Sequence, residues 1–371
     1  MKNIAIITAP NTSNAGMISV DLAARHFFDA LPVEYTFFRT HTQKRSPKEI
    51  FAGQQFQLLI DTTQLAPFDI IIYWGDFLNN PIYGLEDFWG RDRREQITTT
   101  QHESFERWKR LCLLKNFSRK KQKIISVGNN FQGLTHFFTT TDSETAREIR
   151  NLYESNFDVI FPRDPVSTNM LKRYCPNAAR GNVQTGLDAA FLLDPYTVIE
   201  NKSLPVYARK LKLTYYFGRT EFRGLSQMLA SVSLATFTIP HKLSGWLRVN
   251  QDLTDRELLA SFYQTLIESK VVITDTYHLC VNAMNLGIPV IGMGHPCNYQ
   301  DGTLGDYKKQ VLFEMMGRTD SYYQTSRIRL IPKDFFSISK LARNIRTQTR
   351  PSALPSMISA FRERLKTEVE N

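Results

Sequence analysis

The sequence is poor in the residues that build covalent or metal-held scaffolds. Its 371 residues hold four cysteines, Cys112, Cys175, Cys280 and Cys297. None stands in a CxxC spacing or beside a histidine cluster, so neither a metal centre nor a disulfide framework is indicated, and reduced, buried thiols are expected. Apolar runs such as "DIIIYW" and "VVIT" fall far short of the ~20 residues that span a bilayer. The opening "MKNIAIITAP" turns polar too soon for a secretory signal. A cytoplasmic chain is expected, with peripheral contact at the inner membrane face as its one membrane role. Neither GxGxxG nor GxxxxGK[ST] marks a glycine loop, so a dinucleotide or P-loop site is unsupported. Acidic residues are outnumbered, 36 Asp+Glu against 46 Lys+Arg for a net charge of +10, a balance that favours anionic ligands. The basic residues are scattered through "RDRR", "SRKKQK" and "ARKLKLT" without interleaved aromatics, which argues against a nucleic-acid partner.

What the sequence has is alternation. Strand-like runs such as "NIAIIT", "FDIIIYW", "KIISVG" and "FDVIF" are separated by stretches of helical periodicity such as "MISVDLAARHFFDAL", "SETAREIRNLYES" and "VSTNMLKRYC". Strands alternating with helices predict parallel sheets covered on both faces. Asp164, just before "PVSTNMLKR", reads as a helix N-cap. The stretch "YTVIENKSLPVYARKLK" has no period and reads as a connection. After it the alternation restarts, with "LTYYFGRT", "LATFTIP", "KVVIT" and "IPVIGMG" as strands. The chain is therefore read as α/β, with two doubly wound domains facing a cleft: an N-terminal domain over 1–200, a C-terminal domain over 205–345 and a final helix over 352–371. On that helix Met357, Ile358, Phe361 and Leu365 share one side, so it either packs on the protein or lies on a membrane, and packing is expected.

Open parallel sheets bind ligands beyond the carboxyl ends of their strands, and that is where the polar residues gather. After "KVVIT" come Asp275, Thr276, Tyr277 and His278, at the start of the next helix. Thr274 or Asp275 serves as the helix cap. A cap does not call for His278, which would sit near the positive helix end, where an imidazole is readily tuned for proton transfer. The cations at strand ends are Arg219 and Arg223 after "LTYYFG", and His241 and Lys242 after "LATFTIP". Asn11, Ser13, Asn14 and Gly16, with Asp76, Asn129 and Asn130, form polar loops able to hydrogen-bond hydroxyl groups, and turn chemistry is the plain alternative for them.

These segments resemble, in order, the polysaccharide pyruvyl transferase family. Tyr277-His278 followed by "LGIPVIGMG" is similar to the family's Arg-x-His, helix and Gly-(Ile/Thr)-Pro-Val pattern, with Thr276 where the family has arginine. "NTSNAG" resembles its early Asn/Gly loop, with Met17 in place of the aspartate, and "DIIIYWGDF" and "ISVGNNFQG" resemble its glycine turns. "FPRDPVSTNMLKR", "YYFGR" and "GDYKKQVLFEMMG", with Lys308 and Lys309, continue the match, and "GLDAAFLLDP" looks like the family's Asp-Pro/Ala strand. The resemblance implies a GT-B-like fold of two Rossmann-like domains and transfer of the enolpyruvyl unit of phosphoenolpyruvate, as co-substrate and without a cofactor, to two hydroxyls of a glycan or lipid-linked saccharide. His278 and Asp275 would be catalytic. Arg219, Arg223, His241, Lys242, Thr276 and Lys308 would face the anionic donor, and the asparagine-rich loops the acceptor. The alternatives are a GT-B-type glycosyltransferase using a nucleotide-sugar donor, and a glycan- or anion-binding protein without turnover.

Overall fold

The computed structural model describes residues 1–11, 13–42, 56–75, 77–199, 211–247, 255–295, 304–348 and 350–371. Of the residues singled out above, Asp76 and Cys297 lie outside these ranges. The chain divides into two compact units. One comprises residues 1–10, 20–192 and 361–371, the other residues 11–19 and 193–360.

In the first unit β1 (Lys2–Thr8), β2 (Val33–Arg39), β3 (Gln57–Leu58), β4 (Ile70–Trp74), β5 (Lys123–Asn129) and β6 (Val159–Pro162) form one sheet in the order 3-2-1-4-5-6. Its paired strands run parallel. The run Ile70–Trp74 is buried at every position, as a strand covered on both faces must be. Asp164 caps the helix Pro165–Tyr174, accepting the Ser167 N–H at 2.7 Å. The segment "GLDAAFLLDP" is no strand: Ala189–Leu192 form a 3-10 turn, and Asp188 accepts the Ala190 N–H at 3.0 Å. A carboxylate two residues ahead of a backbone N–H favours such a turn over an extended chain. The terminal helix Leu354–Glu370 keeps its apolar stripe inside the protein, with Phe361, Leu365 and Val369 fully buried. Phe361 lies edge-on to Phe161 at 5.7 Å. That stripe is unavailable to a lipid surface. Among the described residues no helix is long and apolar enough to cross a membrane.

One buried group in this unit carries a pH dependence. His41 Nε2 lies 2.8 Å from Asp92 Oδ1, and Arg107 reaches the same oxygen at 2.6 Å. Burial lowers the His41 pKa below its ordinary 6.5, opposed by the Asp92 hydrogen bond and assisted by Arg107. As pH falls through the ordinary histidine range the unfolded chain takes up a proton that folded His41 resists, so stability is lost toward acid. The Tm should therefore fall between about pH 7.5 and 5.5, and His41→Gln should flatten that slope in a thermal-melt series.

In the second unit β7 (Lys212–Tyr216), β8 (Ile239–Lys242), β9 (Ser269–Thr274), β10 (Val290–Gly294) and β11 (Tyr322–Gln324) form a parallel sheet in the order β8-β7-β9-β10-β11. One face is built from Leu213, Ile273, Ile291 and Met293, packed on Met228 and Val232 of the helix Leu225–Thr236 and on Ile338 and Ala342 of the helix Pro332–Ile345. Each of the fully buried Leu, Ile, Val and Met side chains contributes about 1.5–3 kcal/mol. The strand expected over "LATFTIP" starts late: the helix runs through Thr236, whose hydroxyl donates to Val232 O at 2.8 Å, and ends at Phe237 in a left-handed conformation (φ 54°). His241 and Lys242 are thus within β8, an exposed edge strand, rather than beyond its carboxyl end.

Candidate functional site

Strand order marks a candidate site in the second unit. The chain leaves β7 toward β8 on one side and β9 toward β10 on the other, so the order reverses between β7 and β9. A crevice for ligand opens at such a point, outside the carboxyl ends of the two strands. The residues found there are Gly218, Arg219 and Thr220 after β7, and Asp275, Thr276, Tyr277 and His278 after β9.

Asp275 ties these two ends together. Its carboxylate accepts the N–H groups of Gly218 at 2.9 Å, Arg219 at 2.9 Å and Thr220 at 2.6 Å, while Thr276 Oγ1 donates to it at 3.2 Å. It is 1% exposed. The helix Tyr277–Asn285 is capped by neither residue expected to cap it: Thr276 is its N-cap, without a side-chain bond to the helix N–H groups, and Thr274 Oγ1 instead accepts the Thr276 N–H at 3.0 Å. The competing donors are the reason, because three N–H groups from one loop satisfy a carboxylate more fully than one helix end. Asp275 therefore sets the β7 loop, and with it Arg219, whose side chain is exposed.

His278 is the second residue of its helix and is buried. Gly16 packs directly on it: a Cβ at Gly16 would stand 2.5 Å from His278 Cβ and 3.0 Å from Cγ and Nδ1. A chain of hydrogen bonds fixes this contact. Ser19 Oγ donates to Gly16 O at 2.7 Å, and Asn282 Nδ2 donates to Ser19 Oγ at 3.0 Å and to His278 O at 2.7 Å. Tyr263 donates its hydroxyl to Asn282 Oδ1, and burial pushes that phenol far above its ordinary pKa, so it remains a donor. With His278 catalytic, as the family resemblance implies, Gly16→Ala should displace the ring and lower turnover by an amount on the order of 10²-fold, with little effect on donor binding in a thermal-shift titration.

Lys309 is a further member. Its ammonium is buried, donating to Asp275 O at 2.5 Å and Met293 O at 2.7 Å, and it pairs with Asp306 at 2.6 Å. It thereby closes the carboxyl ends of β9 and β10 with a paired charge. Lys308, one residue earlier, lies over the Tyr277 ring at 5.0 Å, a cation–π contact beside the same turn. Cys280, on the His278 helix, is held as a thiol by burial, which pushes its pKa up to about 12.

The other residues singled out in the sequence divide. The Arg223 backbone pairs with Ile328 and Leu330, and its side chain is exposed. His241 and Lys242 are exposed on β8, with β7 between them and β9. Asn11 and Asn14 are engaged in turns, accepting the N–H groups of Ser13 at 3.1 Å and Gly16 at 3.0 Å. Asn129 and Asn130 belong to the first unit and are buried there. The Asn129 amide accepts the Asn79 N–H and donates to Ser126, and the Asn130 side chain accepts from Gln132 N and Ser167 Oγ. Sequence reasoning did not find Ser19, Tyr263, Asn282 or the role of Lys309. Of these, only Asn282, set between Val281 and Ala283 of its helix, leaves a polar signal in the sequence.

The family model for polysaccharide pyruvyl transferase matches residues 18–296, three quarters of the chain. The chain belongs to the polysaccharide pyruvyl transferase family. The match contains Arg219, Asp275 and His278, and membership makes the chain a transferase whose acceptor is a glycan. No curated protein matches the sequence. Among solved structures, a candidate UDP-N-acetylglucosamine 2-epimerase from Listeria monocytogenes is 11% identical with a TM-score of 0.54, over 99% of this chain and 96% of that one. A second UDP-N-acetylglucosamine 2-epimerase is 10% identical with a TM-score of 0.51, over 100% and 97%. These likenesses are of fold: this pyruvyl transferase relative is α/β, GT-B-like, with two Rossmann-like units.

Proposed function

We propose that the chain transfers the enolpyruvyl unit of phosphoenolpyruvate to two hydroxyls of a glycan, forming a ketal and releasing phosphate, with no cofactor. The observation that carries this reading is the Asp275 carboxylate, which binds the N–H groups of Gly218, Arg219 and Thr220 and so sets an arginine loop beside the turn that bears His278. A donor with a carboxylate and a phosphate needs a guanidinium for paired hydrogen bonds, and Arg219 supplies it, with Lys308 as a second charge. The vinyl carbon of the donor needs a proton, and His278 gives it. The glycan acceptor, free or lipid-linked, brings the two hydroxyls. Incubation with phosphoenolpyruvate and glycosides of galactose, mannose or N-acetylmannosamine should release phosphate, and phosphoenolpyruvate alone should raise the Tm. Failure of both with every acceptor rules the donor out.

Thr276 favours one rival. It stands where the family has arginine, is 4% exposed and gives its hydroxyl to Asp275, so this position supplies no cation. A glycosyltransferase with a nucleotide-sugar donor is the second reading. Stabilisation by UDP, GDP or CMP but not by phosphoenolpyruvate would select it.

A further inference from the structure

We infer that His295 is a second catalytic histidine of this site, the base that takes the proton of the attacking acceptor hydroxyl. The inference rests on the transfer reaction proposed above. His295 follows β10 at its carboxyl end, and the parallel register sets Gly292 of β10 beside Thr274 of β9. The two chains leave their strands side by side, one toward His295 and the other toward His278.

Three contacts hold the His295 ring and its backbone. Nδ1 lies 2.9 Å from Thr325 O. A carbonyl only accepts, so Nδ1 carries the hydrogen, and in the neutral ring the lone pair is on Nε2. The backbone N–H donates to Asp306 Oδ2 at 2.9 Å. Phe222 lies against the ring with centroids 5.7 Å apart, and it belongs to the β7 loop that Asp275 holds. Asp306 pairs with Lys309, which donates to Asp275 O, so one polar chain runs from His295 to the residues before His278. His295 is half-buried, as a base that must meet a substrate requires.

Ketal formation moves two protons, and two histidines balance it. In the first step the acceptor oxygen bonds to C2 of the donor and passes its proton to His295 Nε2, while protonated His278 gives its proton to C3, which becomes a methyl group. In the second step the bond from C2 to the phosphate oxygen breaks, and phosphate leaves with the electron pair and the proton from His295. The second hydroxyl oxygen then bonds to C2 and returns a proton to His278. Both histidines end as they began, and one proton has gone to carbon and one to phosphate.

The test is the kcat–pH profile of the wild type beside His295→Gln and His295→Ala. The expected result is a fall in kcat of roughly 10²- to 10³-fold, KM for phosphoenolpyruvate within about twofold, and loss of the acid limb, which reports protonation of the base. Added imidazole should restore part of the His295→Ala activity. A wild type that turns over beside a His295→Gln variant within about threefold of it, or with the acid limb intact, overturns the inference and leaves the proposed function standing. If the wild type does not turn over phosphoenolpyruvate, the proposed function fails. The second measurement is then the rate of carbethoxylation of His295, read by mass spectrometry. Slowing by phosphoenolpyruvate or by UDP supports a place in the ligand site, and no slowing by either contradicts it.

Discussion

Replacing His278 with glutamine is expected to lower kcat by roughly 10²- to 10⁴-fold while the donor still raises the Tm of the variant. The split follows from the site. In the proposed reaction Arg219 and Lys308 meet the donor's anionic groups and the substitution leaves them in place, whereas His278 is the group proposed to protonate the vinyl carbon. Glutamine keeps the approximate size of the ring and hydrogen-bonding groups but cannot carry a proton between steps. Stopped assays should show KM for phosphoenolpyruvate within about threefold of the wild type. A loss confined to KM would instead assign His278 to binding.

The second large effect is on stability and binding together. Asp275→Ala removes the acceptor for three backbone N–H groups and one hydroxyl. Bonds to a charged acceptor contribute about 1.5–3 kcal/mol each, but Gly218 and Arg219 are exposed and water can replace part of them. The expected loss is therefore about 2–4 kcal/mol in chemical denaturation of the second unit. The freed loop carries Arg219, so KM for the donor should rise as well. Asp275→Asn keeps one carbonyl acceptor and should fall between the two. Equal stability of Asp275→Ala and wild type would remove Asp275 from its structural role.

Much of this architecture is legible in the sequence because parallel strands buried on both faces write themselves as short apolar runs. Ile70–Trp74 and Val271–Thr274 are of this kind. The strands toward the sheet edges are not. Val33–Arg39 mixes polar and aromatic residues at a sheet position near the edge, and Ile239–Lys242 is exposed throughout, so neither leaves an apolar signature, and the helix end at 234–236 resembles a strand in sequence. The turn at Asp275–His278 was legible as a cluster of hydrogen-bonding residues at a strand end. Its internal division of labour was not, because Asp275 finds its partners 55 to 57 positions away in the chain. Pairings of that span depend on which strands lie side by side. Gly16 shows the same limit: within its own segment it reads as a turn glycine, and only the fold sets it against His278.

The most direct measurement follows the carbon rather than the phosphate. Phosphoenolpyruvate labelled with ¹³C at C3 should, with the wild type and the right glycoside, give a ketal methyl resonance in the sugar product, and His278→Gln should give none over the same period. A wild type that forms no labelled product from phosphoenolpyruvate, yet moves a sugar from a nucleotide donor onto the same glycoside, would contradict the account.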